Sequence, residues 1–375
     1  MTTRAFESRR LRLARTFLGQ TLVQLGERVG TTRQFIHQFE SKERTPNDGM
    51  IAALAAALLV EPEFLLRPIG QDIPQDACNF RKLQSSRVKD IEQVIAHGEL
   101  LSELLELLET DLEFPEPNFP PIAVASLDDV EHAALRARTH WRLTIDQPIL
   151  STIRVAENAG AVVVKFPGVS SAIDALSMAA KRPLIIRSSE KEKPTRLRFD
   201  IAHELGHLVM HQKFRPEHDE AERQANRFAS AFLLPAKSFA REFPRGRRLD
   251  WHAIFAIKRA WNVSAQAILR RAYDLQLIDA AQYKSGNVFI SKQGYKRSEP
   301  YEAAESEKPE VLRSALIAMQ HSAGLLPKDV AHRLNVQPLL LGKLLGLEMP
   351  DISAADAPTV INFNARLDWS KSNWH

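Results

Sequence analysis

The segment Phe114-Pro-Glu-Pro-Asn-Phe-Pro-Pro121 constrains this chain more than any other. Its prolines remove backbone donors and push each preceding residue out of the α region, so neither a helix nor a paired strand can run through it. The fold must be built on either side of that break. A length of 375 residues leaves room for two or three domains, and an apolar share of 44% suffices to pack each of them. The patterning suggests four serial segments: a helical bundle over 1–70, a helical connector ending in the proline-rich linker over 71–121, a mixed α+β domain over 122–295, and a helical region over 296–375. The expected fold class is therefore multidomain and mainly α, with one small sheet.

Composition excludes several functions. Lys and Arg number 50 against 46 Asp and Glu, a net charge of only +4, so any nucleic-acid-binding surface must be local. It is concentrated at the start, where residues 1–44 hold nine basic and four acidic side chains. The single cysteine, Cys78, rules out an intrachain disulfide framework and a Cys-x-x-Cys zinc ribbon, and it fits a reducing cytosol. Metal chemistry here has to use histidines and carboxylates. The longest apolar run, Met50–Val60, is well short of the roughly 20 residues a membrane span needs. Arg4, Arg9, Arg10 and Arg12 are not followed by an apolar signal segment, so a cytoplasmic protein without membrane partners is expected.

The chemistry-bearing motif is His203-Glu-Leu-Gly-His207, set in a helical pattern over 198–211. Histidines four apart share one helix face and can grip one Zn²⁺, while Glu204 projects toward the open coordination position as general base. Zinc acidifies a water and polarises a carbonyl, which is hydrolytic chemistry. A third ligand must come from elsewhere, and in the next helix, 219–235, two carboxylates compete. Glu222 shares a stripe with the small residues Ala225, Asn226 and Ala229, which permit close helix approach; Glu220 lines up with Gln224 and Arg227 on a polar face. Glu222 is the choice. His211, at the helix end, reads as a partner for the C-terminal dipole.

Taken together, Arg196-Leu-Arg-Phe-Asp-Ile-Ala-His-Glu-Leu-Gly-His207, Glu222-Arg-Gln-Ala-Asn226 and Leu233-Leu-Pro235 resemble the ImmA/IrrE family of zinc metallopeptidases, over roughly 125–275. That resemblance implies a gluzincin-like domain with His203, His207 and Glu222 on zinc and Glu204 as base. It also implies that the strand Pro183–Ser188 is a sheet edge able to accept a substrate peptide, and that the substrate is a helix-turn-helix repressor.

In the basic N-terminal part, Thr21–Val29, Gly30 and Thr32–Phe39 give two short helices about a tight turn. Ile36 and Phe39 point inward, which leaves Arg33, Gln34, His37 and Gln38 outward as base-reading side chains, with Arg44 suited to phosphate. The run Leu25–Glu40 with Thr45-Pro46 resembles the XRE (Cro/C1-type) regulators over about 5–66, an N-terminal five-helix bundle. By that likeness Arg33, Gln34 and Gln38 contact bases and Arg44 a phosphate. One departure is Leu22, where such domains carry a phosphate-anchoring Gln. Double-stranded operator DNA is the implied partner and a homodimer the implied state, because one module reads one half-site. The helical pattern 84–113 could supply the dimer seam or pack within the monomer. Two readings of the whole stay open: a DNA-binding regulator with a zinc endopeptidase, or a repressor whose metallo-domain is a sensor.

Overall fold

The computed structural model describes residues 5–70, 78–80, 88–166, 175–178, 181–188, 193–213, 216–303 and 305–347. The chain opens with helices α1 (Ser8–Phe17), α2 (Leu22–Arg28), α3 (Arg33–Glu40) and α4 (Asp48–Ala57), then a 3-10 turn, Pro62–Leu66. Strand β1 (Cys78–Phe80) and the long helix α5 (Val88–Leu108) precede the proline break, and α6 (Leu127–His140) and α7 (Thr152–Asn158) follow it. Strands β2 (Val162–Phe166), β3 (Ala175–Met178) and β4 (Leu184–Ser188) lead into α8 (Pro194–Met210), α9 (His218–Leu233) and α10 (Ala236–Glu242). Helices α11 (Trp251–Trp261), α12 (Ala265–Asp274), α13 (Ala280–Lys292), α14 (Val311–Ala323), α15 (Pro327–Arg333) and α16 (Pro338–Leu345) follow among the described residues.

The sequence divides serially, but the contacts divide the chain into two units, each assembled from separated stretches. The first comprises Met1–Glu116, Val162–Glu190 and Pro309–His375; the second comprises Pro117–Ala161 and Lys191–Lys308.

In the first unit the N-terminal helices do not stand alone. Arg10, almost fully buried on α1, donates to both Glu103 oxygens on α5 at 2.6 and 2.8 Å, and to the carbonyls of Arg67 and Pro68 at 3.2 and 2.6 Å. A buried guanidinium is tolerated only when its donors are met in this way. Gln93 on α5 donates to the carbonyl of Phe17 at 3.0 Å, and the Phe17 ring stacks on Phe166 of β2 at 5.5 Å. A bridge between Val60 and Val336 ties the first helices to the tail. The result is one apolar core running through α1–α5, the sheet and α14–α16. Helix α5 sits centrally, with Val94, Leu100, Leu101, Leu104 and Leu108 buried, so the face considered for a dimer seam is occupied inside the unit.

The sheet has the order β1-β3-β4-β2. The β-branched runs of β2 and β4 pair in parallel, Val162 opposite Leu184 through Phe166 opposite Ser188, and their residues are almost all buried, as parallel strands require. The Pro183–Ser188 strand, anticipated as a free edge, is instead interior. Strand β3 covers its other side antiparallel, Ala175 opposite Arg187 and Met178 opposite Leu184. No hydrogen-bonding edge of β4 is left for an added peptide.

In the second unit α6, α8 and α9 pack as a layer, with α11–α13 beyond. Buried Arg271 of α12 donates to the Leu234 carbonyl at 2.8 Å and to Glu131 of α6, fixing the end of α9. The charged stretch around 294–309 is a strap held by three carboxylates. Glu307 accepts from Ser151 Oγ, Thr152 Oγ1 and the Ile153 amide at 3.0, 3.0 and 2.9 Å, and it pairs with Arg198. Glu302 accepts from the Thr195 amide and hydroxyl at 3.0 and 2.6 Å and from Lys258 at 2.7 Å, while Glu299 meets Lys258 at 2.9 Å. Glu307 and Glu302 satisfy orphan N–H groups in the first turns of α7 and α8, and Glu299 accepts from the Ala265 amide at the start of α12 at 2.9 Å, where the helix dipole favours negative charge.

Candidate metal centre

Helix α8 begins with Pro194 at its first position, where a missing N–H costs nothing, and its start is pinned by the strap. Nearly every residue from Asp200 to Met210 is buried. Its histidines meet as the four-residue spacing requires: His203 Nε2 and His207 Nε2 lie 3.1 Å apart. From α9, Glu222 presents one oxygen 3.2 Å from His207 Nε2 and the other 3.6 Å from His203 Nε2. Zinc bound 2.0–2.1 Å from donors at tetrahedral corners needs those donors about 3.3 Å apart. The donor set therefore fits a zinc ion in spacing as well as in chemistry, and it is the group of His and carboxylate ligand atoms that could hold a metal among the described residues.

Electrostatics agree. Burial pushes the His207 imidazole down to about 4, with His203 adding to the effect and Glu222 opposing it, so at neutral pH its ring carries a lone pair rather than a charge. Burial alone would raise Glu222, but hydrogen bonds and attraction from His203 and His207 outweigh it and hold the carboxyl far below the ordinary range. Glu204, beside His203, is 1% exposed.

The close approach of α8 and α9 has a specific cause. A Cβ at Gly206 would meet the Phe228 ring and its Cβ at 3.0 to 3.2 Å, tighter than ordinary contact. Ala225 and Ala229 on α9 are fully buried, as the small-residue stripe suggested, but the decisive small residue is the glycine between the histidines.

Residues 156–273 match the family model of the Peptidase_M78 IrrE N-terminal-like domain. This stretch is metallopeptidase-like. The match runs from α7 to α12, and it contains the histidines of α8, Glu222 and strands β2, β3 and β4. No curated protein matches the chain.

Sequence reasoning missed what surrounds the IrrE-like donor set. His211 caps the C-terminus of α8, yet its ring is 3% exposed and not simply a dipole partner: its Nδ1 is 2.8 Å from His207 Nδ1 and its Nε2 2.9 Å from Gln224 Oε1. Gln224 in turn donates to Glu220 at 3.0 Å, so Glu220, the rejected ligand candidate, closes a chain of hydrogen bonds behind the site. The signal was present as a third histidine at the same four-residue step, but only α9 shows what it faces.

The N-terminal pair α2 and α3 forms two helices about Gly30, whose φ is +72°. Thr21 and Gln24 make a reciprocal capping box on α2, and Thr32 caps α3. Gly26 lets the turn close, because a Cβ there would meet the Thr31 carbonyl at 2.9 Å. Ile36 and Phe39 are buried and Arg33, Gln34 and His37 exposed, while Gln38, expected outward with them, is half-buried. Arg44 lies with its guanidinium 4.5 Å above the Phe35 ring.

Proposed function

We propose that this chain is a cytoplasmic transcriptional regulator in which an N-terminal helix-turn-helix reads operator DNA and the IrrE-like segment is a zinc-dependent endopeptidase acting on a repressor-type protein. The observation carrying the peptidase reading is the convergence of His203, His207 and Glu222 at zinc spacing, next to Glu204, inside the matched segment. Zinc held there would polarise a scissile carbonyl and acidify a water. Glu204 takes the proton from the attacking water and hands it to the leaving amine, and Glu222 contributes the negative charge that keeps the ion in place. The DNA reading is supported by the exposed row Arg33, Gln34 and His37 with Gln38, by Arg44 beyond it, and by the basic excess of residues 1–44. Arg can fork onto guanine and Gln onto adenine in a major groove. The homodimer follows from half-site geometry; with α5 buried in its own unit, its interface lies on another surface.

Zinc per chain, measured on wild type and on Glu222→Ala, tests the centre: about one ion in the first and much less in the second. Glu204→Gln should keep zinc and operator binding while cleavage of a co-expressed repressor stops. If cleavage persists, the assigned base is wrong; if derepression in cells is unchanged while cleavage stops, the domain is a sensor. In a gel-shift salt series, Arg33→Ala with Gln34→Ala should remove site preference but keep general phosphate binding.

A further inference from the structure

We propose that His211, Gln224 and Glu220 form a proton-ordered chain that fixes His207 as its Nδ1–H tautomer and so aims its Nε2 lone pair at the zinc site. The inference rests on the zinc reading above and goes beyond the ligand set.

The order is forced from the far end. Glu220, paired with Arg223, is a carboxylate and can only accept, so the Gln224 amide must present its NH₂ to it across 3.0 Å. That turns Gln224 Oε1 toward His211, 2.9 Å from Nε2, and an amide oxygen requires Nε2 to donate. With the ring neutral, His211 Nδ1 is then an acceptor. It lies 2.8 Å from His207 Nδ1, which must therefore carry the proton. The remaining nitrogen of His207, Nε2, is left with a lone pair, and it is the atom 3.2 Å from a Glu222 oxygen. Two acceptors face each other at that distance, an arrangement a cation resolves. His207, His211 and Gln224 are each 3% exposed, so water does not compete for these bonds. A ligating histidine whose other nitrogen donates in this way is held in one orientation and is a better base. Because His211 ends α8 while Gln224 stands two residues from Glu222 on α9, the chain also ties both ligand-bearing helices together behind the ion.

His211 and Gln224 are positioning residues, and the test separates that role from a loss of packing. Zinc affinity of the full chain is measured by competition with a chromogenic chelator. Gln224→Leu should weaken zinc about 10- to 100-fold. Gln224→Glu combined with Glu220→Gln, which still accepts from His211 and returns an amide donor to the 3.0 Å contact between positions 220 and 224, should bind zinc at least as tightly as wild type. Equal affinity in wild type and Gln224→Leu, or a loss in the double variant equal to that in Gln224→Leu, overturns the proposal. Nitrogen-15 spectra of the imidazoles give a second readout on wild type alone: His211 protonated at Nε2 and bare at Nδ1 supports the chain, and the reverse pattern overturns it. Should wild type take up no zinc, the peptidase reading falls while the His211 pattern still decides the proton order.

Discussion

At the scale of single residues, the least conspicuous histidine carries a measurable consequence. His97 of α5 is fully buried against Phe17 and Phe166, and its Nε2 lies 2.7 Å from the Leu344 carbonyl, to which it donates. Burial lowers its pKa from 6.5 to about 4, against the smaller opposing pull of that carbonyl. Above pH 6.5 the ring is neutral folded or unfolded and the fold keeps its full stability. As pH falls from 6.5 toward 4 the unfolded chain takes up the proton first, and stability is lost with it, by about 2 kcal/mol at pH 5. His97→Phe removes the titration. Urea unfolding followed by circular dichroism at pH 7.5 and pH 5 should show a drop smaller by about that amount in the variant; an equal drop in both proteins would place the acid sensitivity elsewhere. His97 was not legible in the sequence as a buried base, since its acceptor lies 247 residues further along the chain.

At the scale of elements, the metal centre depends on how near α9 can come to α8. Gly206→Val would drive branched carbons into the Phe228 ring, which is itself fully buried and has little room to yield. Overpacking of this kind costs about 1–3 kcal/mol and moves backbone. The separation of Glu222 from the histidines should grow, so zinc affinity should fall by at least tenfold while the first unit's unfolding stays the same. Unchanged affinity would mean that the site tolerates a wider helix gap. How much of this was readable follows from where each signal sits. The helix of His203 and His207 and the choice of Glu222 over Glu220 were visible, because periodicity and small residues are local properties of a helix. Strand β3 was not: Ala175-Leu-Ser-Met178 contains no β-branched residue, and its extended form is imposed by partners on both sides. The strap carrying Glu299, Glu302 and Glu307 was not legible either, because residue type says only that it is charged, and its partners at Ser151 and Thr195 are more than 100 residues away.

At the scale of the whole chain, neither unit is a contiguous piece. The first needs three stretches of sequence, and its last stretch does more than add helices to the end. The Asn335 carbonyl accepts from the Glu61 amide at 2.9 Å, the Gln337 amide donates to Leu59 at 2.9 Å, and Leu344 holds His97. Leu340, Leu341 and Leu344 are buried in the same core as Leu100, Leu104 and Phe166. Each such side chain contributes on the order of 1.5–3 kcal/mol when buried, so removing them uncovers more than a marginal domain can lose. A chain ending at residue 308 should therefore lose hydrogen-exchange protection in α5 and in α1, far from the cut, and should bind an apolar dye. The second unit keeps its strap, which ends at Lys308, and zinc uptake through His203, His207 and Glu222 should survive the truncation. Should α1 and α5 stay protected, the N-terminal helices fold without the tail, and the serial division suggested by the proline break would describe stability better than the contact-defined units do.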